Sequence, residues 1–415
     1  MRSQSAHFSP EKVTIRMHAS FLSARAINNG LPQERRITAS TSDQDTTHTK
    51  TPQIRRLAAL RGIRVLAWDG DILYANRGYH LVRLQSARLL NSRNAEWESV
   101  ARFSPVWWRN LTSRTCLTSR LVRDGFHALA VPEDQIMIAA VPGAIITRNA
   151  SSAEFQPTHK ILRGTRPLHI AAVPRGNIYW GEYFDNRSRD EVHIYASADR
   201  GQTWHVAYTF AAGAIRHVHN IIYDRWGDCL WILTGDEGSE CRVLCASRDL
   251  RTVETVFSGN QQARAVAAIP TEDALYLSTD TPFERNHVLR LDRSGRIANV
   301  ANVVSSSIFG CRTANALFFS TMAEPSPINP TDEVHLTASA DGANWQTVAS
   351  WQKDALPMRY FQYGNVILPD GENATNYLAA TTIATKEDDQ VTTIWEVDLR
   401  AKSQSPETKA ESSIP

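Results

Sequence analysis

Residues 197–204 read SADRGQTW, and residues 339–345 read SADGANW. One short phrase, polar, glycine-containing and closed by tryptophan, is written twice, 142 positions apart. Its residues are those of a tight turn: glycine reaches positive φ without a Cβ clash, and Asp and Ser side chains bond to backbone N–H groups close by. The flanks alternate apolar and polar residues with the period of two that a half-buried strand requires, as in EVHIYAS before the first copy and TWHVAYTF through its end. Each phrase therefore reads as a turn between two antiparallel strands.

The pattern around this hairpin recurs along the chain. Apolar runs begin at HALAV (127), HIAAV (169), HVHNI (217), AVAAI (265), SIFG (307) and RYFQYGNVIL (359), in steps of 42, 48, 48, 42 and 52 residues. Almost no segment holds a 3.6-residue period, so the chain reads as all-β. The unit from 169 parses into the strands LHIAAV, NIYWGEY, EVHIYAS and TWHVAYTF, joined by PRG, FDNRSRD and ADRGQ. Four short strands in every roughly 40–50 residues is the spacing of propeller blades.

The fold expected is a single β-propeller of four-stranded antiparallel blades. An earlier unit, RVLAWDGDILYANRGYHLVRL with WESVARF, brings the number of blades to about seven, six or eight being the alternatives, with an insertion near 104–125. Propellers commonly close by pairing strands from their two ends, which assigns TTIWEVDL, near the C-terminus, to that seam. Polar, Ser/Thr-rich composition makes 1–56 and 401–415 flexible segments around a propeller domain at 57–400.

The repeated phrase resembles the Asp-box, the bacterial neuraminidase repeat of sialidase-like propellers, with the pattern Ser-x-Asp-x-Gly-x-Thr-Trp. Ser197, Asp199, Gly201, Thr203 and Trp204 match it at every defined position, while the second copy is one residue shorter between Asp341 and Trp345. Degraded forms, SRDLRTVE at 247–254 and LDRSGRI at 291–297, keep the register: Ser197, Ser247, Asp292 and Ser339 stand 50, 45 and 47 residues apart. The resemblance covers roughly residues 60–400. It implies that the box is a folding device, with Asp and Ser bonding the turn and Trp packing between blades. Sialidases carry an N-terminal arginine motif of the Phe/Tyr-Arg-Ile-Pro type that RGTRPLHI (163–170) does not match, so no sialidase catalytic residue is carried over. The box also occurs in other glycoside hydrolases, polysaccharide lyases, photosystem assembly factors and sorting receptors. It therefore implies a carbohydrate-active enzyme, hydrolase or lyase, with a non-catalytic glycan- or protein-binding propeller in exopolysaccharide assembly as the rival.

Composition narrows the partners. Of 415 residues, 42% are hydrophobic and 21% charged, and 45 Lys+Arg against 43 Asp+Glu leave a formal charge of +2. No global field points to nucleic acid or an anionic membrane. Five cysteines without a CxxC pair argue against a disulfide framework or a zinc ribbon and read as mostly buried free thiols. No run of about 18 apolar residues is present to insert into a membrane. The N-terminus lacks an uninterrupted apolar core of the secretory kind, so the default is cytoplasmic, with export if the start is placed too far upstream. The expected partner is a polysaccharide or oligosaccharide, acidic rather than neutral, taken up by a monomer.

In a four-stranded blade the loops joining strands 2 and 3 share a face with the links between blades, and the 3-to-4 turns occupy the other. The long polar loops, GEYFDNRSRD (181–190), TGDEGSE (234–240), STDTPFERNH (278–287) and STMAEPSPINPTDEV (320–334), all fall on the face away from the repeated turns. The densest cluster joins IRHVHN, TGDEGSE and GEYFDNR. His217 and His219, two apart on an inner strand, leave the same side of the sheet. With Glu182 and Asp236 they are the candidate catalytic groups. Arg166, Arg187, Arg216, Asn186, Tyr183 and Glu240 are the candidate substrate contacts, the arginines suiting an acidic sugar. His217 and His219 are the metal ligands if a divalent metal is the cofactor, a question the sequence leaves open. Among the neighbouring aromatic residues Tyr179, Trp180, Tyr183, Trp226 and Trp231, only Tyr183 is assigned to the site.

Overall fold

The computed structural model describes residues 50–89, 96–133 and 135–401, so the segments 1–49 and 402–415, read as flexible, lie outside the described residues. Seven antiparallel sheets succeed one another around a ring, giving a seven-bladed β-propeller. The first strands of blades 1 to 7, on the channel side, are Arg64–Gly70, Ala128–Ala130, Ala171–Ala172, His217–Asp224, Ala265–Pro270, Ser307–Arg312 and Asn365–Ile367. Blade 4 shows the plan: His217–Asp224, Cys229–Gly235, Arg242–Ser247 and Val253–Ser258 pair in sequence order from channel to rim.

The ring closes at blade 7, where Val391–Ala401 pairs antiparallel with Lys50–Arg61 over its full length. TTIWEVDL lies in that seam as expected, but the partner strand begins at Lys50, seven residues inside the segment read as a tail. KTPQIRR has no apolar alternation because an outermost strand buries little of either face, so it has the composition of a loop. The run from Arg359 also differs. Its first residues form a helical turn, Met358–Phe361, and the inner strand starts only at Asn365. Blade 1 gains a fifth strand, Asp370–Asn373, parallel to Arg64–Gly70 on the channel side. The insertion between blades 1 and 2 folds as two short helices, Trp107–Thr112 and Cys116–Val122.

Neighbouring blades pack face to face through apolar side chains alternating along their strands. Between blades 3 and 4 the buried set includes Tyr179, Ile194, Val218, Leu230 and Ile232. Fully burying such side chains contributes about 1.5–3 kcal/mol each. All five cysteines are free, with Cys229, Cys241 and Cys311 buried and Cys116 exposed.

The repeated turns are knitted by their own side chains. Asp199 accepts from Gln202 N–H, Thr203 N–H, the Thr203 hydroxyl and the Ser197 hydroxyl, while Ser197 Oγ accepts from Gly201 N–H. Gly201 has φ +82° and faces Ile138 and Thr147 of blade 2 so closely that a Cβ would clash. Trp204 donates to Thr158 of blade 2, and Trp345 packs against Phe319 and Tyr276 of blades 6 and 5. Asp341 and Asp292 bond their turns in the same manner.

Although burial opposes it, the bonds from Thr203, Ser197 and Gln202 hold the Asp199 carboxyl down at about 2. A folded-state value below the unfolded value of about 3.9 means stability that is present above that pH and lost as pH falls toward about 2. Asp199→Ala is expected to cost about 1–2 kcal/mol at pH 7, the range for a lost capping side chain, with the deficit fading below about pH 3. Urea unfolding at both pH values checks this; an equal deficit at pH 7 and pH 2.5 would contradict it.

Candidate functional site

The inner strands of blades 1, 4, 5 and 6 each carry a β-bulge near their first residues, skipping Leu66, His219, Val266 and Ile308 in the pairing. Bulges re-aim side chains, and at this position three blades hold an aliphatic residue where blade 4 holds a histidine. Two residues earlier stand Arg64, His217, Arg264 and Ser306, at the channel mouth on the face opposite the repeated turns.

Three groups from blade 4 converge there. His217 Nε2 lies 3.1 Å from His219 Nε2, His219 Nε2 lies 3.1 Å from Asp236 Oδ1, and His217 Nε2 lies 3.5 Å from the same oxygen. The other ring nitrogens are tied to neighbouring blades: His217 Nδ1 to Phe184 O at 3.0 Å and His219 Nδ1 to Ala265 O at 2.9 Å. Gly235 leaves room for the His219 ring, since a Cβ there would come within 2.7 Å of its Cε1. Asp236 also pairs with Arg216 through Oδ2 at 3.1 Å and with Arg264 through Oδ1 at 3.4 Å. Those two guanidinium groups hold Asp236 as a carboxylate at the mouth. Burial pushes His217 below the usual histidine value.

Tyr183 completes this side of the mouth, its ring 4.3 Å from that of His217 and 6.3 Å from that of His219. Burial, then the Asp236 charge, raises its pKa, so the hydroxyl keeps its proton at neutral pH.

The opposite side is cationic. Arg64 Nη1 approaches His127 Nδ1 at 3.5 Å, and among the described residues neither Arg64 nor Arg166 has a carboxylate partner. Arg64 Nε is buried without a hydrogen bond. Burial first, then the charges of Arg64 and Arg123, press the pKa of Arg166 downward, and His127 is lowered by burial and by Arg166 and Arg64. A guanidinium keeps its proton in such surroundings, so the uncompensated charge stands.

Of the residues expected at the site, His217, His219, Asp236, Arg216 and Tyr183 come together, and Arg166 faces them from the cationic side. The others are engaged elsewhere. Glu182 is buried, gripped by the Arg163 guanidinium, and accepts His193 N–H. Asn186 is buried and staples its loop through Asp190. Glu240 ties to Arg189 at 2.5 Å, and Arg187 lies exposed beside Asp185. Arg64, His127 and Arg264 belong to the mouth but lie at strand starts rather than in the long loops, where a search of loop composition does not look.

The same face carries twelve of the thirteen exposed large apolar side chains among the described residues, among them Trp107 and Leu162, 77% and 78% exposed, and Tyr360. A cavity of about 1000 Å³ opens at the other end of the channel, beside the 1-to-2 turns, with small residues such as Ala67, Ala171 and Ala267 in its wall. There Arg225 pairs with Glu372, and Arg225 and Arg312 both lie over the Trp226 ring. At the mouth, Arg64 and Arg166 lie near each other and near Tyr183, so cations and candidate proton-transfer groups share one place there. No helix of the described residues is long and apolar enough to cross a membrane.

Comparison with known proteins reaches the architecture and stops there. No family model and no curated protein matches the chain. The WD40 β-propeller domain of Doa1 superposes with a TM-score of 0.51 at 8% identity, over 83% of this chain and 97% of that one. The likeness is one of fold. A chain of the mitotic checkpoint complex (TM-score 0.48, 11% identity, 88% and 99% covered) and one of the nidogen/laminin complex (0.43, 12%, 70% and 95%) are more distant in shape.

Proposed function

We propose that the channel mouth binds an acidic saccharide by its carboxylate and cleaves it by β-elimination, as a polysaccharide lyase. The observation that carries this reading is the pair Arg64 and Arg166, cations without a carboxylate partner, set across from Tyr183 and His217. In such an elimination a uronate carboxylate is first neutralised, which acidifies the adjacent C–H. The proton then passes to a base, the glycosidic oxygen leaves with its electron pair, and a C=C bond forms in the sugar. Arg64 and Arg166 supply the neutralising charge, and Tyr183 and His217 are the proton-transfer groups. Hydrolysis by the expected carboxyl pair is supported less well, because Glu182 is held by Arg163 and Asp236 by Arg216 and Arg264. The exposed aromatic residues on the same face favour sugar stacking, and the Asp-box resemblance agrees with a carbohydrate ligand.

The test is incubation with a panel of uronate-containing oligosaccharides. Products with the ultraviolet absorbance of an unsaturated uronate support the elimination, new reducing ends without it indicate hydrolysis, and binding without cleavage leaves a glycan-binding propeller. The exposed apolar rim favours that last reading as the alternative, since a polymer can be held there without chemistry.

A further inference from the structure

We infer that His217, His219 and Asp236 form a binding site for one divalent transition-metal ion at the channel mouth. This inference deepens the proposed function, since the ion would share the mouth with the acidic ligand. The argument begins with the anchoring of the rings. A backbone carbonyl only accepts hydrogen bonds, so the contacts to Phe184 O and Ala265 O place the N–H of each neutral imidazole on Nδ1. Both Nε2 atoms are then bare lone pairs, and they face each other and a carboxylate oxygen at 3.1, 3.1 and 3.5 Å. Three acceptors held that close, with no hydrogen between them, repel one another unless a cation lies among them.

The spacing fits an ion. The point equidistant from the three atoms lies about 1.9 Å from each, just inside the ~2.0–2.2 Å of zinc–nitrogen and zinc–oxygen bonds, so an ion sits slightly out of their plane. The donor set, two imidazoles and one carboxylate, suits zinc, cobalt, manganese or iron, and excludes calcium and magnesium, which prefer oxygen alone. The support around the ligands is that of metal sites: each His donates its other N–H to a fixed carbonyl, and Arg216 holds the second Asp236 oxygen. Those carbonyls belong to blades 3 and 5, so three blades fix the geometry. With the ion bound, the His217 Nε2 lone pair is occupied, so ion binding and proton transfer at His217 exclude each other.

The experiment uses the full chain stripped with a chelator and titrated with Co²⁺, read by visible absorption and by calorimetry. One equivalent binding with the visible bands of a low-symmetry cobalt site is expected, and Zn²⁺ should displace it. His219→Gln and His217→Gln should each lower affinity at least about 100-fold. No stoichiometric uptake, or uptake that both variants keep, would overturn the inference. Should either variant fold poorly by circular dichroism, the spectrum of the cobalt-loaded wild type decides alone. Saccharide binding, measured separately with Arg166→Ala, tells the two readings apart: a metal-free site with intact, Arg166-dependent saccharide binding removes the ion and leaves the proposed function standing.

Discussion

Arg166→Ala is expected to weaken binding of an acidic oligosaccharide by roughly 30- to 1000-fold while leaving the free protein at least as stable as the wild type. The two halves come from one cause. Among the described residues no carboxylate meets Arg166, and its neighbours Arg64, Arg123 and His127 are basic. Folding therefore brings a cation into cationic, partly desolvated surroundings, a cost that alanine removes. A carboxylate ligand reverses the sign by supplying the missing charge, and losing a charge-assisted bond at such a place costs about 2–4 kcal/mol. A side chain present only for packing behaves oppositely, because its loss lowers stability and moves affinity little. Arg166→Lys keeps the charge but loses the planar fork, so it should recover part of the affinity and none of any bidentate geometry. Calorimetric titration at two ionic strengths, with thermal melts of each variant, reads both quantities. Unchanged affinity in Arg166→Ala, or a melting temperature lowered by more than a few degrees, would remove Arg166 from the site.

The sequence disclosed the fold through what repeats and the site only through what is chemically conspicuous. Spacings of 42 to 52 residues and a turn phrase recurring in register were enough for seven blades, because each blade must bury the same alternating face. Lys50–Arg61 escaped because an outermost strand buries so little that its pattern is lost. At the site, His217, His219 and Asp236 were visible as residue types, yet period-two logic alone does not explain why they meet: His219 is skipped in the strand pairing by a bulge. Glu182 looked available at a strand end, and nothing in its neighbourhood in sequence announces that Arg163, nineteen positions earlier, takes it. Arg64 had no signal in its own stretch. It becomes visible only when the inner strands are aligned on their bulges, which puts it in one ring with His217 and Arg264.

Arg120→Ala is expected to destabilise the protein by about 3–5 kcal/mol, the range for removing one partner of a buried ion pair. Its side chain is 2% exposed and ends in a knot of elements far apart in sequence. Nη1 reaches Asp354 at 2.6 Å and Asp389 at 3.1 Å, while Nε and Nη2 donate to Phe361 O. The guanidinium thus joins the Cys116–Val122 helix to the link before blade 7 and to the 2-to-3 loop of that blade, beside the seam that closes the ring. Burial works against the Asp354 carboxylate, and Arg120 with Lys353 overcomes it, holding the group below its ordinary value. That depressed value makes the contribution present above about pH 3.9 and lost as pH falls, so the deficit of the variant should shrink in acid. At neutral pH the loss corresponds to roughly 5 °C in melting temperature for a propeller of this size. Arg120→Lys should rescue little, since one ammonium cannot bond two carboxylates and a carbonyl in the directions the fork serves. Full rescue by lysine, or an equal deficit at pH 7 and pH 3, would show that packing and not the ion-pair knot fastens the helices to the closing blade.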